Sequence, residues 1–159
     1  MLAAGLFALD GYLALLLGGI MAQFASIVDG CDGEVARHKY QSSPYGGWFD
    51  AVLDRYADAF LLFCLMWHVY VDKTDSLILL IGFLAIIGSF MLSYTADKHD
   101  SLMRDRINSG KGLRLGRDIR VFLIFLGAVF NQVYLALIVI AVLMNIETIR
   151  RLIICRDHG

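Results

Sequence analysis

Residues 121–154 read VFLIFLGAVFNQVYLALIVIAVLMNIETIRRLII. As a single helix rising 1.5 Å per residue, this stretch would be about 50 Å long, well beyond the roughly 30 Å hydrocarbon core of a bilayer. Asn131-Gln132 stands near its middle. We therefore divide it into two spans, Leu113–Phe130 and Val133–Ile154. The same reading upstream finds three more, at Tyr12–Val28, Ala57–Val71 and Leu77–Ala96. None of these blocks alternates strictly between apolar and polar residues, which argues against barrel strands. The fold class is all-α, a polytopic transmembrane helix bundle with five full spans. Asp10-Gly11 is a turn signal, and the apolar Met1–Leu9 before it is too short to cross. It reads as the N-terminal stub of a sixth helix. No basic segment with a short apolar core and a small-residue cleavage site marks a signal peptide. Residues 1–159 are thus read as a single transmembrane domain lacking most of its first helix. The expectation is a fragment, or a domain cut from something longer, with an upstream soluble domain as a candidate partner.

Composition agrees. Of 159 residues, 58% are hydrophobic and 18% charged, with one proline, against the roughly 25% charge of ordinary soluble domains. Disorder, fibrous repeats and disulfide-stapled secreted modules are excluded. The net charge of −1 argues against generic nucleic-acid binding. Cys31, Cys64 and Cys155 have no metal-binding spacing and are read as small buried residues. The division into five spans puts 13 of the 14 Lys and Arg residues on one face, leaving only Lys73 on the other. The crowded face is expected to be cytoplasmic.

Carboxylates at a membrane are costly and usually functional. VDGCDGEVAR carries Asp29 and Asp32, three apart and so on one face of a helix end. Asp50 and Asp54, four apart, begin the next span, and Asp58 continues their stripe. Two helices joined by a loop would bring these acids together, and like charges that close need a cation between them. An all-oxygen donor set selects hard ions such as Mg²⁺, Mn²⁺ or Ca²⁺. Four carboxylates suit two ions about 3.5–4 Å apart, the arrangement of phosphoryl chemistry. Gly33, Ala36 and Gly46 keep the walls low, and Arg37 can fork onto phosphate oxygens.

The pattern Asp29-x2-Asp32-Gly33-x2-Ala36-Arg37-x8-Gly46-x3-Asp50-x3-Asp54 resembles the signature of the CDP-alcohol phosphotransferases, also called CDP-alcohol phosphatidyltransferases. All eight fixed positions and every spacing agree, a coincidence of order 10⁻¹⁰ per starting position at average residue usage. The resemblance implies six transmembrane helices, with the signature on the second and third, and a homodimer. It implies a Mg²⁺- or Mn²⁺-dependent transfer, with two ions, from a CDP-linked alcohol donor (CDP-diacylglycerol, CDP-archaeol or CDP-inositol) to an acceptor hydroxyl, releasing CMP. Carried over by position, Asp29, Asp32 and Asp50 would be metal ligands. Asp54 would be the general base, also touching a metal. Asp29, Gly33, Ala36, Arg37 and Gly46 would line the CDP site.

The basic, Gly-rich INSGKGLRLGRDIR at 107–120 leads into the fourth span. Arg117 and Arg120 share a helix face, and an arginine pair opposite an acidic cation site suits an anionic substrate group such as a phosphate. Lys111 and Arg104 are further acceptor-binding candidates. This basic stretch looks like that of family members whose acceptor is an inositol phosphate. Glycerol phosphate or serine as acceptor remains an alternative, and a divalent cation transporter is the alternative of another class. An ion path, however, has no need of Arg37 or of low glycine walls. Trp48, Trp67, Tyr70 and Tyr94 suit interfacial belts. His68 stands alone near the outer end of a span. Gly82, Ala85 and Ser89 form a small-residue stripe suited to helix packing or a dimer seam.

Overall fold

The structure is a computed structural model that describes residues 2–9, 11–38, 44–103 and 117–157, with 32–38, 44, 97–103, 154, 155 and 157 described by backbone alone. The described residues form six helices and no strand: α1 Leu2–Phe7, α2 Tyr12–His38, α3 Pro44–Lys73, α4 Ser76–Met103, α5 Arg117–Val129 and α6 Val133–Asp157.

The division of the long C-terminal stretch falls where it was expected, for a local reason. Asn131 takes φ 53°. Its amide donates to the Ala128 carbonyl, and the Gln132 amide donates to the Gly127 carbonyl at 2.7 Å. This is a Schellman stop, with asparagine in the left-handed position that its short polar side chain tolerates. Between α3 and α4 the left-handed residue is Thr74, at φ 52°, and its amide reaches the Tyr70 carbonyl. The Asp75 carboxylate then caps α4 by accepting from the Leu77 amide at 3.0 Å. Asp10 lies outside the described residues, but Gly11, at φ 110°, supplies the turn before α2.

Contacts along the helices give their directions. α2 and α5 are antiparallel: Tyr12 Oη donates to the Val129 carbonyl at one end, and Ser26 Oγ donates to Asp118 Oδ1 at the other. α4 and α6 run parallel, with Asn145 on the Leu84 carbonyl and Arg151 on the Leu92 carbonyl. The core is continuous through Leu15, Leu65, Ile78, Ile124, Leu137 and Met144. Gly82, Ala85 and Ser89 turn inward, and a Cβ at Gly82 would meet the Met66 side chain of α3. This stripe is therefore spent on packing within the bundle.

The α2–α5 seam is closer still. A Cβ at Gly19 would lie 2.7 Å from the Ala128 methyl, and neither is a flexible chain end that could swing aside. Gly19→Leu is expected to cost about 1–3 kcal/mol through overpacking, read as a lowered thermal midpoint in detergent.

Three helices are long and apolar enough to cross a membrane: Tyr12–Cys31, Ser76–Ala96 and Val133–Ile153, with mean hydropathies of 1.6, 2.4 and 1.9. Large apolar side chains such as Leu13, Phe24 and Phe83 cover the outside. The other two expected spans fall short for visible reasons. In α3, charges at Asp50, Asp54, Arg55 and Asp58 precede the apolar run, and Asp72 and Lys73 end it. α5 has 13 described residues, about 20 Å of helix.

Basic side chains collect at one end of the bundle, where Arg117, Arg120 and Arg151 meet α2, α3 and α4. Lys73 is at the other end, its ammonium 4.6 Å over the Tyr134 ring, near the tilted pair Trp67 and Tyr70. The cysteines depart from expectation. Cys31 is exposed, like the residues 27–30 before it on α2, and Cys64 on α3 is half-buried, packed against the core; Cys155 is described by backbone alone.

Candidate active site

The acids lie inside helices rather than at their ends. α2 continues ten residues past Val28, running through Gly30 and Gly33, with Glu34, Ala36 and Arg37 as good helix formers and no proline to stop it. α3 starts at Pro44, a residue favoured in a first helical turn, so Asp50 already stands on the second turn. Both helices thus project beyond their apolar segments, and the acids sit where the polar extension begins.

Carboxylate oxygens of Asp29, Asp50 and Asp54 lie within 4.8 Å of one another. Asp29 is on α2; Asp50 and Asp54 are one turn apart on α3. Asp32, Gly33, Ala36 and Arg37 follow on the stretch of α2 described by backbone alone, Asp32 in the i,i+3 register with Asp29. Gly46 is on the exposed first turn of α3. Arg104 and Lys111 lie outside the described residues.

α5 delivers the arginines. Arg117 Nη1 donates to Asp29 Oδ2 at 2.5 Å and to Asp54 Oδ1 at 2.6 Å, bridging the two acid-bearing helices. Its Nε lies 3.6 Å from Asp58 Oδ1. Arg120, one turn along, is 4% exposed. It donates from Nη2 to Asp58 Oδ2, and from Nη1 to the Ser89 carbonyl at 3.2 Å. Arginine forks suit such shared carboxylate contacts.

Asp54 lies just before the apolar segment of α3. Burial pushes its carboxyl up to about 6; Arg117 opposes that shift, while Asp29, Asp50 and Asp58 add to it by repulsion. A cation held among these oxygens favours the ionised form. The donor chemistry fits a hard divalent ion, since the converging atoms are all carboxylate oxygens. Next to Asp29 along α2, an open cleft is lined by Gln23, Ser26, Ile27, Gly30, Cys31 and Asp118.

Three features were not anticipated from the sequence. Asp58 faces both arginines and lies outside the three-carboxylate cluster. Asp118 ties α5 to Ser26 of α2. Glu147, buried on α6, holds Arg150 and Arg151. The last had a visible signal in its i,i+3 and i,i+4 spacing. The first two are tertiary, and no spacing within one helix reveals them.

An all-helical protein with membrane-length apolar helices and converging carboxylates at one end is the class this architecture defines. Residues 1–146 match the profile of the CDP-alcohol phosphatidyltransferases. The chain belongs to that family and is an integral membrane protein. It is similar to the Bifunctional IPC transferase and DIPP synthase of Rubrobacter xylanophilus, at 38% identity over 96% of this chain and 33% of the relative. The protein of the same name from Archaeoglobus fulgidus is 37% identical over 80% of this chain and 26% of the relative. The Archaetidylinositol phosphate synthase of Pyrococcus horikoshii is 32% identical over 86% of this chain and 68% of that protein. The chain spans about a quarter to a third of the length of the bifunctional relatives it matches.

Proposed function

We propose that this protein transfers a substituted phosphate from a CDP-linked alcohol to a hydroxyl of an inositol phosphate, releasing CMP. The observation that carries this reading is the convergence of Asp29, Asp50 and Asp54 from two helices, with Arg117 beside them. The names of the relatives support the acceptor: Archaetidylinositol phosphate synthase names an inositol phosphate product.

In this reading Asp29, Asp32, Asp50 and Asp54 hold two Mg²⁺ or Mn²⁺ ions. Such ions, when bound, neutralise the diphosphate and the departing CMP. Asp54 takes the proton of the acceptor hydroxyl. The hydroxyl oxygen forms a bond to the phosphorus that carries the donor's alcohol. The bond from that phosphorus to the CMP oxygen breaks, and its electron pair leaves with CMP. Gly33, Ala36, Arg37 and Gly46 line the CDP side. Arg117 and Arg120, with Lys111 and Arg104, make the acceptor side positive.

The same reading takes α3 and α5 across the bilayer as well, giving five spans in a single transmembrane domain. It puts the arginine-rich end in the cytoplasm and makes the protein a homodimer. An arginine lodged between Asp29 and Asp54 disfavours a cation path, whose carboxylates must pass ions on.

The test measures CMP release with Mn²⁺ from CDP-diacylglycerol, CDP-archaeol and CDP-inositol, against inositol phosphate, inositol, glycerol phosphate and serine. Release with inositol phosphate is expected. Release only with glycerol phosphate or serine would move the acceptor, and no release from any donor would overturn the reading. In the same assay Arg120→Ala is expected to raise KM for the phosphorylated acceptor about ten- to a hundredfold, the worth of a hydrogen bond to a charged group. An equal rise for unphosphorylated inositol would count against a role in phosphate recognition.

A further inference from the structure

Asp50, Asp54 and Asp58 repeat every four residues along α3, so the helix presents them as one stripe. The stripe divides in space. Asp50 and Asp54 join Asp29, with carboxylate oxygens within 4.8 Å of one another. Asp58 does not join them; it is one turn deeper, with a side chain only 16% exposed, and both its oxygens face α5. One oxygen accepts from Arg120, and the other lies 3.6 Å from Arg117 Nε.

Resting on the proposed reaction, we infer that Asp58 is a positioning residue for the acceptor's phosphate group, acting through the arginine pair, and is not a further cation ligand. Arg120 is buried and is held from two sides, by the Asp58 carboxylate on α3 and by the Ser89 carbonyl on α4. A buried guanidinium stripped of its carboxylate is strongly unfavourable, and a neutral side chain at position 58 would leave Arg120 with the Ser89 carbonyl as its remaining described partner, loosening its aim. The charge balance gives Asp58 a second task. Arg117 spreads its contacts over Asp29, Asp54 and Asp58. The first two carboxylates belong to the set that suits a divalent cation, whereas Asp58 is committed to arginine alone. It is therefore the anchor that keeps both guanidiniums on the acceptor side when Asp29 and Asp54 serve a metal. Ser89, small and buried at the contact, lets α4 come close enough for its carbonyl to complete the clamp.

The test compares wild type, Asp58→Asn, Arg120→Ala and the double variant, reading KM for each substrate and Mn²⁺ binding by calorimetry. Asp58→Asn is expected to raise KM for inositol phosphate about tenfold, with KM for the CDP donor and Mn²⁺ affinity unchanged. The double variant is expected to resemble Arg120→Ala, because the two residues act as a unit. Multiplying effects on KM, weaker Mn²⁺ binding in Asp58→Asn, or a lower thermal midpoint with KM unmoved would each overturn the inference. If Asp58→Asn does not fold, Asp58→Glu keeps the charge but displaces it by a methylene; a raised acceptor KM with normal Mn²⁺ binding is expected, and an unchanged KM overturns the inference. A wild type that releases no CMP sinks the reaction and this inference together; an active wild type with an indifferent Asp58→Asn sinks the inference alone.

Discussion

Asp54→Asn is expected to slow CMP release by about a thousandfold, within the range that a lost general base costs, while the protein stays folded. Asparagine matches aspartate in size and can still accept the hydrogen bond that Arg117 donates at 2.6 Å. What it cannot do is take a proton from an acceptor hydroxyl. Position 54 stands between Asp50, its neighbour in the carboxylate cluster, and the arginine-facing Asp58, so in the proposed reaction it lies between the metal side and the acceptor side. Its side chain is 27% exposed, open enough for a substrate hydroxyl to reach. The measurement is single-turnover CMP release, with circular dichroism in detergent as the folding control. A near-normal rate would remove the base assignment.

The second large effect concerns the cation. Chelation with EDTA is expected to stop CMP release, and excess Mn²⁺ to restore it. Asp50→Asn is expected to weaken Mn²⁺ binding, measured by calorimetry without substrate, by about a hundredfold or more, since removing even a supporting partner of a metal site costs ten- to a hundredfold. Asp50 is exposed, so its loss leaves no buried hole and the helix is expected to stay intact. Unchanged Mn²⁺ affinity in Asp50→Asn would show that the converging carboxylates do not hold the metal.

Much of this was legible in the sequence because it depends on local chemistry. Asn131 ends α5 through its own backbone, so the helix break can be read from an amide residue in an overlong apolar run. The acid spacing translates directly into shared helix faces, and α2 and α3 present them to each other. Other features are decided between helices. Nothing in the spacing of Asp50, Asp54 and Asp58 says which of them joins the carboxylate cluster with Asp29 and which turns to the arginines alone. Nor does a basic residue three after Arg117 announce that it will be 4% exposed. The lengths of α2 and α3 were underestimated because hydropathy marks the membrane segment, whereas helix propensity runs on through the charged residues beyond it. Cys31 was misjudged for a different reason: it lies inside the apolar segment, but its burial depends on which helices pack beside that turn.

The tight meeting of Gly19 with Ala128 has a reach beyond its own neighbourhood. Asp29 lies ten residues further along the same rod, about 15 Å away, and Arg117 rides the opposing rod to the same end. A wedge driven in at Gly19 therefore tilts the jaw that presents Asp29 against the one that presents Arg117. The spacing between Asp29 and Arg117 is set partly by how little stands between α2 and α5 at Gly19 and Ala128, and a lesion there would be felt about three turns away.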